Sequence, residues 1–216
     1  MSDGLVIVGA GDHGRVMLEL LRAAGETPAG FVEPQRGGGE VGRMVDGLAV
    51  LGDLDLDVAW RSAGVQRFVV ALGDNLARRD AFERCVALGL TPVAAVHPTA
   101  IMLTGARIEP GAMVCAAAVI GMASVVGKNA LVNTAASIDH DNRIEAHASV
   151  APGARLAGRV TIGEGAQVGI GASVREGIHI GEWALVAGGA MVIADVPARA
   201  RVAGVPARPM ADPAPG

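Results

Sequence analysis

The chain of 216 residues has no tyrosine, three phenylalanines and two tryptophans, and its formal net charge is −4. Proteins that grip nucleic acid combine a basic groove with aromatic platforms for the bases. Both parts are missing, so nucleic acid is not an expected partner. No apolar run approaches the roughly 18 residues that a membrane span requires, so no span is expected. Only two cysteines occur, Cys85 and Cys115, without metal-binding or redox spacing. Both read as buried thiols of a reducing compartment. Asp3 and a glycine-rich turn stand where a signal peptide needs basic and then long apolar residues. Five histidines are scattered without a cluster, so a zinc site has no support and no metal is expected. These absences describe a cytoplasmic protein that works without metal or nucleic acid.

What is abundant is small and aliphatic. Hydrophobic residues make up 51% of the chain, and there are 31 glycines. From Ile108 onward every sixth residue through Val192 is aliphatic, and all but Leu156 are β-branched. A second register, two residues ahead, runs from Ala106 to Ala190 and is almost entirely Ala or Ser. Period six fits neither a helix nor simple strand alternation. It marks a hexapeptide β-helix, in which each repeat supplies one short strand and one corner. The small and the β-branched residue both point inward. Three repeats make one coil of 18 residues, and coils stack in parallel at about 4.8 Å. The repeat never slips, so no long loop interrupts this prism.

The first half of the chain reads differently. Leu5–Val8 is a buried parallel strand that enters Gly9-Ala10-Gly11-Asp12-His13-Gly14. A helix follows from about Arg15 to Ala24, stopped by Gly25. Ala29–Val32 forms a second strand ending at Glu33. Arg36–Glu40 holds three consecutive glycines and reads as a mobile loop. Arg67–Leu72 is a strong strand that opens into Gly73-Asp74-Asn75 and a helix to about Leu88. Val93–Val96 is a last strand before His97-Pro98. Strands alternating with helices indicate a small α/β domain with a parallel sheet. The organisation is then an α/β domain over residues 1–97, a β-helix over 98–193, and a proline-containing tail or cap over 194–216.

The glycine turn is a GxGxxG between strand and helix, which aims backbone N–H groups at a phosphate. Glu33, at the end of the second strand, stands where an acid can meet a ribose or base. The domain has room for one mononucleotide-sized half of a Rossmann fold. A nucleotide-linked ligand is therefore expected in preference to NAD. A purely structural glycine turn is the alternative.

The segments GAGDHGRV, ALGDN followed by two arginines, VHPTA, NTAASIDHD and GVPAR occur in that order. Together they resemble the bacterial sugar acyltransferases that include sialic acid O-acetyltransferases and UDP-4-amino-sugar N-acetyltransferases, with the GDP-perosamine type closest in style. The resemblance implies a left-handed prism, a homotrimer, and acetyl-CoA lying between adjacent prisms. It implies acetyl transfer to the 4-amino group of a nucleotide-linked 4-amino-4,6-dideoxy sugar for bacterial surface glycans. The sugar would be held by the first domain at Gly11, Asp12, His13, Gly14, Glu33, Gly73, Asp74 and Asn75. O-acetylation of a sialic-acid type sugar, and a non-catalytic nucleotide-binding scaffold, are the rival readings.

His140 lies two residues past inward Ile138, so it falls at a corner, flanked by Asp139 and Asp141. A neighbouring carboxylate fixes an imidazole tautomer and raises its basicity. The competing reading is an exposed corner histidine. The family likeness makes His140 the base and Asp141, which stands where some relatives carry Glu, its partner. Gly158 is one coil further on, where its N–H can meet a thioester oxygen. Coenzyme A contacts are expected at Asn133, Gly158, Ile170, Gly188 and Arg208; the alternatives are a sugar contact or an asparagine ladder for Asn133, an ordinary turn glycine with positive φ for Gly158, and tail packing for Arg208.

Overall fold

The computed structural model describes residues 4–34, 41–54 and 64–210. The loop expected at 36–40 lies outside the described residues. The chain divides into two compact units, Met1–Pro98 and Thr99–Gly216.

The first unit contains β1 (Gly4–Val8), α1 (Asp12–Ala23), β2 (Gly30–Glu33), β3 (Met44–Val45), β4 (Leu48–Asp53), β5 (Val65–Val70), α2 (Asn75–Ala87) and β6 (Thr91–Pro92). Its sheet runs β3-β4-β2-β1-β5-β6. Neighbours are parallel except β3 and β4, which are antiparallel. The β3–β4 hairpin was not expected. Its signal is Asp46-Gly47, an Asp-Gly pair in which both residues have positive φ, 45° and 82°. That is the backbone a tight two-residue hairpin demands. Central β1 buries Leu5 to Val8 on both sheet faces, which explains its unbroken apolar run. Phe68 and Phe82 pack with ring centroids 5.3 Å apart and join β5 to α2.

Helix α1 begins at Asp12, three residues before the expected start. Gly14 looks like a helix breaker but serves close packing. A Cβ there would collide with the Gly9 carbonyl oxygen and press on the Phe31 ring. The helix ends in a Schellman arrangement, with Gly25 at φ 82° and Glu26 N–H donating to the Leu21 carbonyl.

The second unit is a left-handed parallel β-helix built from two-residue strands. Val119–Ile120 pairs with Ser137–Ile138, which pairs with Arg155–Leu156, so each residue lies beside the one 18 further on. The inward aliphatics from Val114 to Val192 are at most 3% exposed. Burying each such side chain contributes about 1.5–3 kcal/mol. One corner residue per hexapeptide adopts the left-handed conformation, among them Ala117, Ala123, Asn129, Ala135, Asp141 and Arg159 at φ 54–59°.

The small register separates by edge. Ala112, Ala130, Ala148, Ala166 and Ala184 line one edge of the prism; Ala118, Ala136, Ala154, Ala172 and Ala190 line the next. The third reads Ala106, Ser124, Asn142, Val160 and Ile178, so every departure from Ala falls on it. After Val192 the period fails, yet Arg201–Ala203 pairs with Leu185–Val186, and Arg208–Pro209 turns back antiparallel on it. Among the described residues no helix is long and apolar enough to cross a membrane.

Gly14→Ala should destabilise the first unit by about 1–3 kcal/mol, the usual cost of overpacking. The clash is with backbone that cannot move aside. Thermal unfolding followed by circular dichroism checks this, and an unchanged transition would show that α1 sits further from β1 than described.

Candidate active site

The corner between Ser137–Ile138 and Arg143–Ile144 carries Asp139, His140 and Asp141. His140 Nδ1 lies 2.8 Å from Asp141 Oδ2. A carboxylate can only accept, so the shared proton sits on Nδ1 and Nε2 keeps its lone pair. Asp141 occupies the left-handed corner position, at φ 56°. From there its short side chain reaches the neighbouring ring. Asp139 accepts the His140 N–H at 2.8 Å, which pins the backbone before the ring. The His140 side chain is 38% exposed, so the ring is half-buried and accessible.

What half-buries the ring is the next coil. A Cβ on Gly158 would collide with His140 Nε2 and Cε1. Gly158 does not have positive φ, so the turn itself does not require glycine here. The residue is glycine because the imidazole lies over its Cα. Its carbonyl accepts from Gly177 N–H at 3.0 Å, while its own N–H makes no hydrogen bond among the described residues. Nε2 and that N–H are therefore neighbouring, unused acceptor and donor groups. Such a pair can take a proton from a nucleophile and hold an oxyanion.

The other expected cofactor contacts lie elsewhere on the prism. Asn133 is on the edge that precedes the His140 corner, and its Oδ1 accepts from Thr134 N–H at 2.8 Å. Ile170 and Gly188 stack on that same edge, with Ile170 65% exposed. Arg208 is exposed on the returning terminal strand and donates to the Ala207 carbonyl. His140 and Gly158 share one edge, while Asn133, Ile170 and Gly188 share another.

In the first unit, β1 lies between β2 and β5. The turns leaving β1 and β5 flank the point where strand order reverses, the usual crevice for a ligand in such sheets. Gly11 caps α1 and is open around its Cα, as is Gly73 beyond β5. Asp12 is exposed. Asp74 caps α2 through Ala77 N–H at 2.8 Å, and Asn75 is buried behind it. Glu33 is buried and paired with Arg43 Nη2 at 3.1 Å, a partner the sequence did not disclose. Gly14, buried against Gly9, shapes the turn from within.

His13 is partly buried, and among the described residues its buried Nε2 has no hydrogen-bond partner. Burial and the Arg78 charge lower its pKa from 6.5 to about 4. Arg78 is itself fully buried on α2 and donates to the Leu72 carbonyl at 3.1 Å. Burial pushes both cysteine thiols up to about 12, so neither is a nucleophile at neutral pH. Among the described residues no group of three His, Cys, Asp or Glu side chains is arranged to hold a metal.

A parallel prism bearing a histidine–carboxylate pair beside a free backbone donor defines a hexapeptide-repeat acyltransferase. The chain belongs to the bacterial sugar acetyltransferases of this class. Its residues 4–85 match the PglD N-terminal domain family. It is 36% identical to GDP-perosamine N-acetyltransferase from Caulobacter crescentus, solved with CoA and GDP-perosamine, including forms with one histidine replaced by Ala or Asn. That likeness covers 98% of this chain and 99% of that one, with a TM-score of 0.89. The acetyltransferase domain of PglB from Neisseria gonorrhoeae, solved with acetyl coenzyme A, is 34% identical over 97% of this chain and 100% of that one, TM-score 0.87. WeeI from Acinetobacter baumannii shares the fold at 24% identity over 96% of this chain and 99% of that one, TM-score 0.85. No curated protein sequence matches the chain.

Gly158→Ala should lower kcat about 100-fold with little change in thermal stability, because the flexible ring is what must move and small misplacements cost that much. Steady-state kinetics beside a melting curve checks it; full turnover would show that the ring need not lie over residue 158. His13 gives a pH test. Its folded pKa is depressed, so its contribution to stability is complete above about pH 6.5 and is lost as pH falls toward 4. The melting temperature of His13→Asn should therefore fall less steeply over that window than the wild type's. Parallel slopes would contradict the burial of a neutral ring.

Proposed function

We propose that the protein transfers acetyl from acetyl-CoA to the 4-amino group of a nucleotide-linked 4-amino-4,6-dideoxy sugar, GDP-perosamine or a UDP-linked analogue. The observation that carries this is the end-to-end likeness to an enzyme solved with CoA and GDP-perosamine, on a chain whose His140–Asp141 pair sits over Gly158. The sugar amine attacks the thioester carbonyl carbon. Gly158 N–H meets the oxygen as it gains charge. His140 Nε2 takes the ammonium proton while Asp141 steadies the imidazolium. The carbon–sulfur bond then breaks, the thiolate of CoA leaves, and the amide remains.

The first unit holds the nucleotide sugar at the β1–β5 crevice, and the second is the acetyl-transfer unit. The separation of Asn133, Ile170 and Gly188 from His140 by one prism edge supports a homotrimer, in which the edge of one copy faces another edge of its neighbour. Two buried free thiols suit a cytoplasmic enzyme.

Thiol release from acetyl-CoA should occur with GDP-perosamine or a UDP-4-amino sugar and not with sialic acid. Light scattering should give three times the chain mass. His140→Asn should lose about 100- to 10,000-fold in kcat, the usual cost of removing a general base. The low end is expected for an amine that is already partly neutral. Turnover of sialic acid alone would establish O-acetylation instead, and undiminished turnover by the variant would remove His140 as the base.

A further inference from the structure

The prism closes its corners in one way. At twelve of them, the N–H of the small inward residue donates to the carbonyl three residues back, as Ala136 does to Asn133 at 3.1 Å and Ala154 to Ala151 at 3.2 Å. Three corners, all on one edge, lack this bond among the described residues: the one that carries His140, the one that carries Gly158, and the one that ends at Ile178. No hydrogen bond joins Asn142 N–H to the Asp139 carbonyl, or Val160 N–H to the Ala157 carbonyl. At the first two a polar side chain is inserted in the gap. Ser124 Oγ accepts from Asn142 N–H at 3.0 Å and donates to the Asp139 carbonyl at 2.7 Å. Asn142 Oδ1 accepts from Val160 N–H at 3.1 Å, and its Nδ2 donates to the Ala157 carbonyl at 2.9 Å. The same Nδ2 also reaches the Asp139 and His140 carbonyls at 2.8 and 3.2 Å. Ser124 and Asn142 are both completely buried, in a register that is Ala on the other two edges.

We propose that Asn142, with Ser124 beneath it, is a positioning residue that holds these two corners open from inside the prism and so sets the His140 ring and the Gly158 N–H in working geometry. The proposal rests on the acetyl-transfer reading above. Its physical core is peptide planarity. In a trans peptide the C=O and N–H point in opposite directions. The Ala157 carbonyl and the Gly158 N–H belong to one peptide. Drawing that carbonyl inward to Asn142 turns the Gly158 N–H outward, toward the face on which His140 Nε2 lies. The Asp139 and His140 carbonyls, drawn to the same amide, fix the two peptides from which the ring is hung. Neither side chain touches a substrate; both act through the corners.

Ala is the resident of this register on the other two edges, so Asn142→Ala can restore an ordinary corner and leave a folded prism. Its kcat should fall about 10- to 100-fold through misplacement of the reacting groups, with KM for both substrates within about twofold of wild type. The NMR resonance of the His140 Cε1–H should shift. Ser124→Ala should do the same to a smaller degree, since it opens only the His140 corner. Val168→Ala, which removes core volume on another face of the prism, is the control. It should lower the melting temperature while leaving kcat and the His140 resonance in place. Wild-type kcat and an unmoved resonance in Asn142→Ala would overturn the proposal. So would an equal loss of kcat in Val168→Ala at equal loss of stability, since the role would then be structural only. If the wild-type protein acetylates no acceptor, the functional reading falls, and the His140 resonance alone decides whether Asn142 positions the ring.

Discussion

The offset of 18 residues between stacked coils is the constraint on which the site depends. Strands of two residues cannot satisfy their backbone within one coil, so each coil bonds to the next: Asp139 N–H to the Leu156 carbonyl at 3.0 Å, Arg159 N–H to the His140 carbonyl at 2.9 Å. A slip of one residue would turn every inward aliphatic to solvent. Register is therefore fixed along the whole prism by burial that has nothing to do with catalysis. Given that register, the residue adjoining His140 can only be residue 158. The absence of a side chain there lets the imidazole lie along the prism and aim Nε2 at the next coil.

A second consequence of the corner geometry concerns the carboxylate. One residue per hexapeptide must adopt positive φ, which costs a non-glycine residue about 1–2 kcal/mol. Asp tolerates it better than most. Asp141 occupies that position, at φ 56°. There its carboxylate stands next to His140 Nδ1, so the longer reach of a Glu is not needed for the pair to form. The geometry that limits the choice of residue also delivers the partner of the base.

The prism was legible in the sequence because period six is enforced by packing at every repeat, and the fifteen aliphatics hold it without a gap. The placement of Gly158 beside His140 followed from arithmetic on the same period. The small register was legible only as small. Ser124 passed as another small filler, and Asn142 had no meaning until the missing turn bonds were seen, since a buried amide reveals its role through its partners. In the first unit, the pairing of Glu33 with Arg43 depends on the β3–β4 hairpin, whose Asp46-Gly47 turn carries the only local signal. The start of α1 was misjudged because Gly14 opposes a helix by propensity, and tertiary packing against Gly9 outweighs propensity.

The polar edge of the prism has a cost that helps to explain its confinement. A buried backbone group left without a partner costs about 1–3 kcal/mol. Two open corners expose two donors and two acceptors to a dry interior, whereas an Ala corner satisfies the same groups with no side chain. Ser124 and Asn142 offset the cost by supplying one partner to each group. Because the side chain of one coil completes the corner of the next, the arrangement must run along a single edge and cannot be spread around the prism. Val160, at the next position on that edge, carries no hydrogen-bonding group and ends the polar run. The corners completed by a polar side chain are thus the one bearing His140 and the one bearing Gly158, where their altered peptide directions have a chemical use.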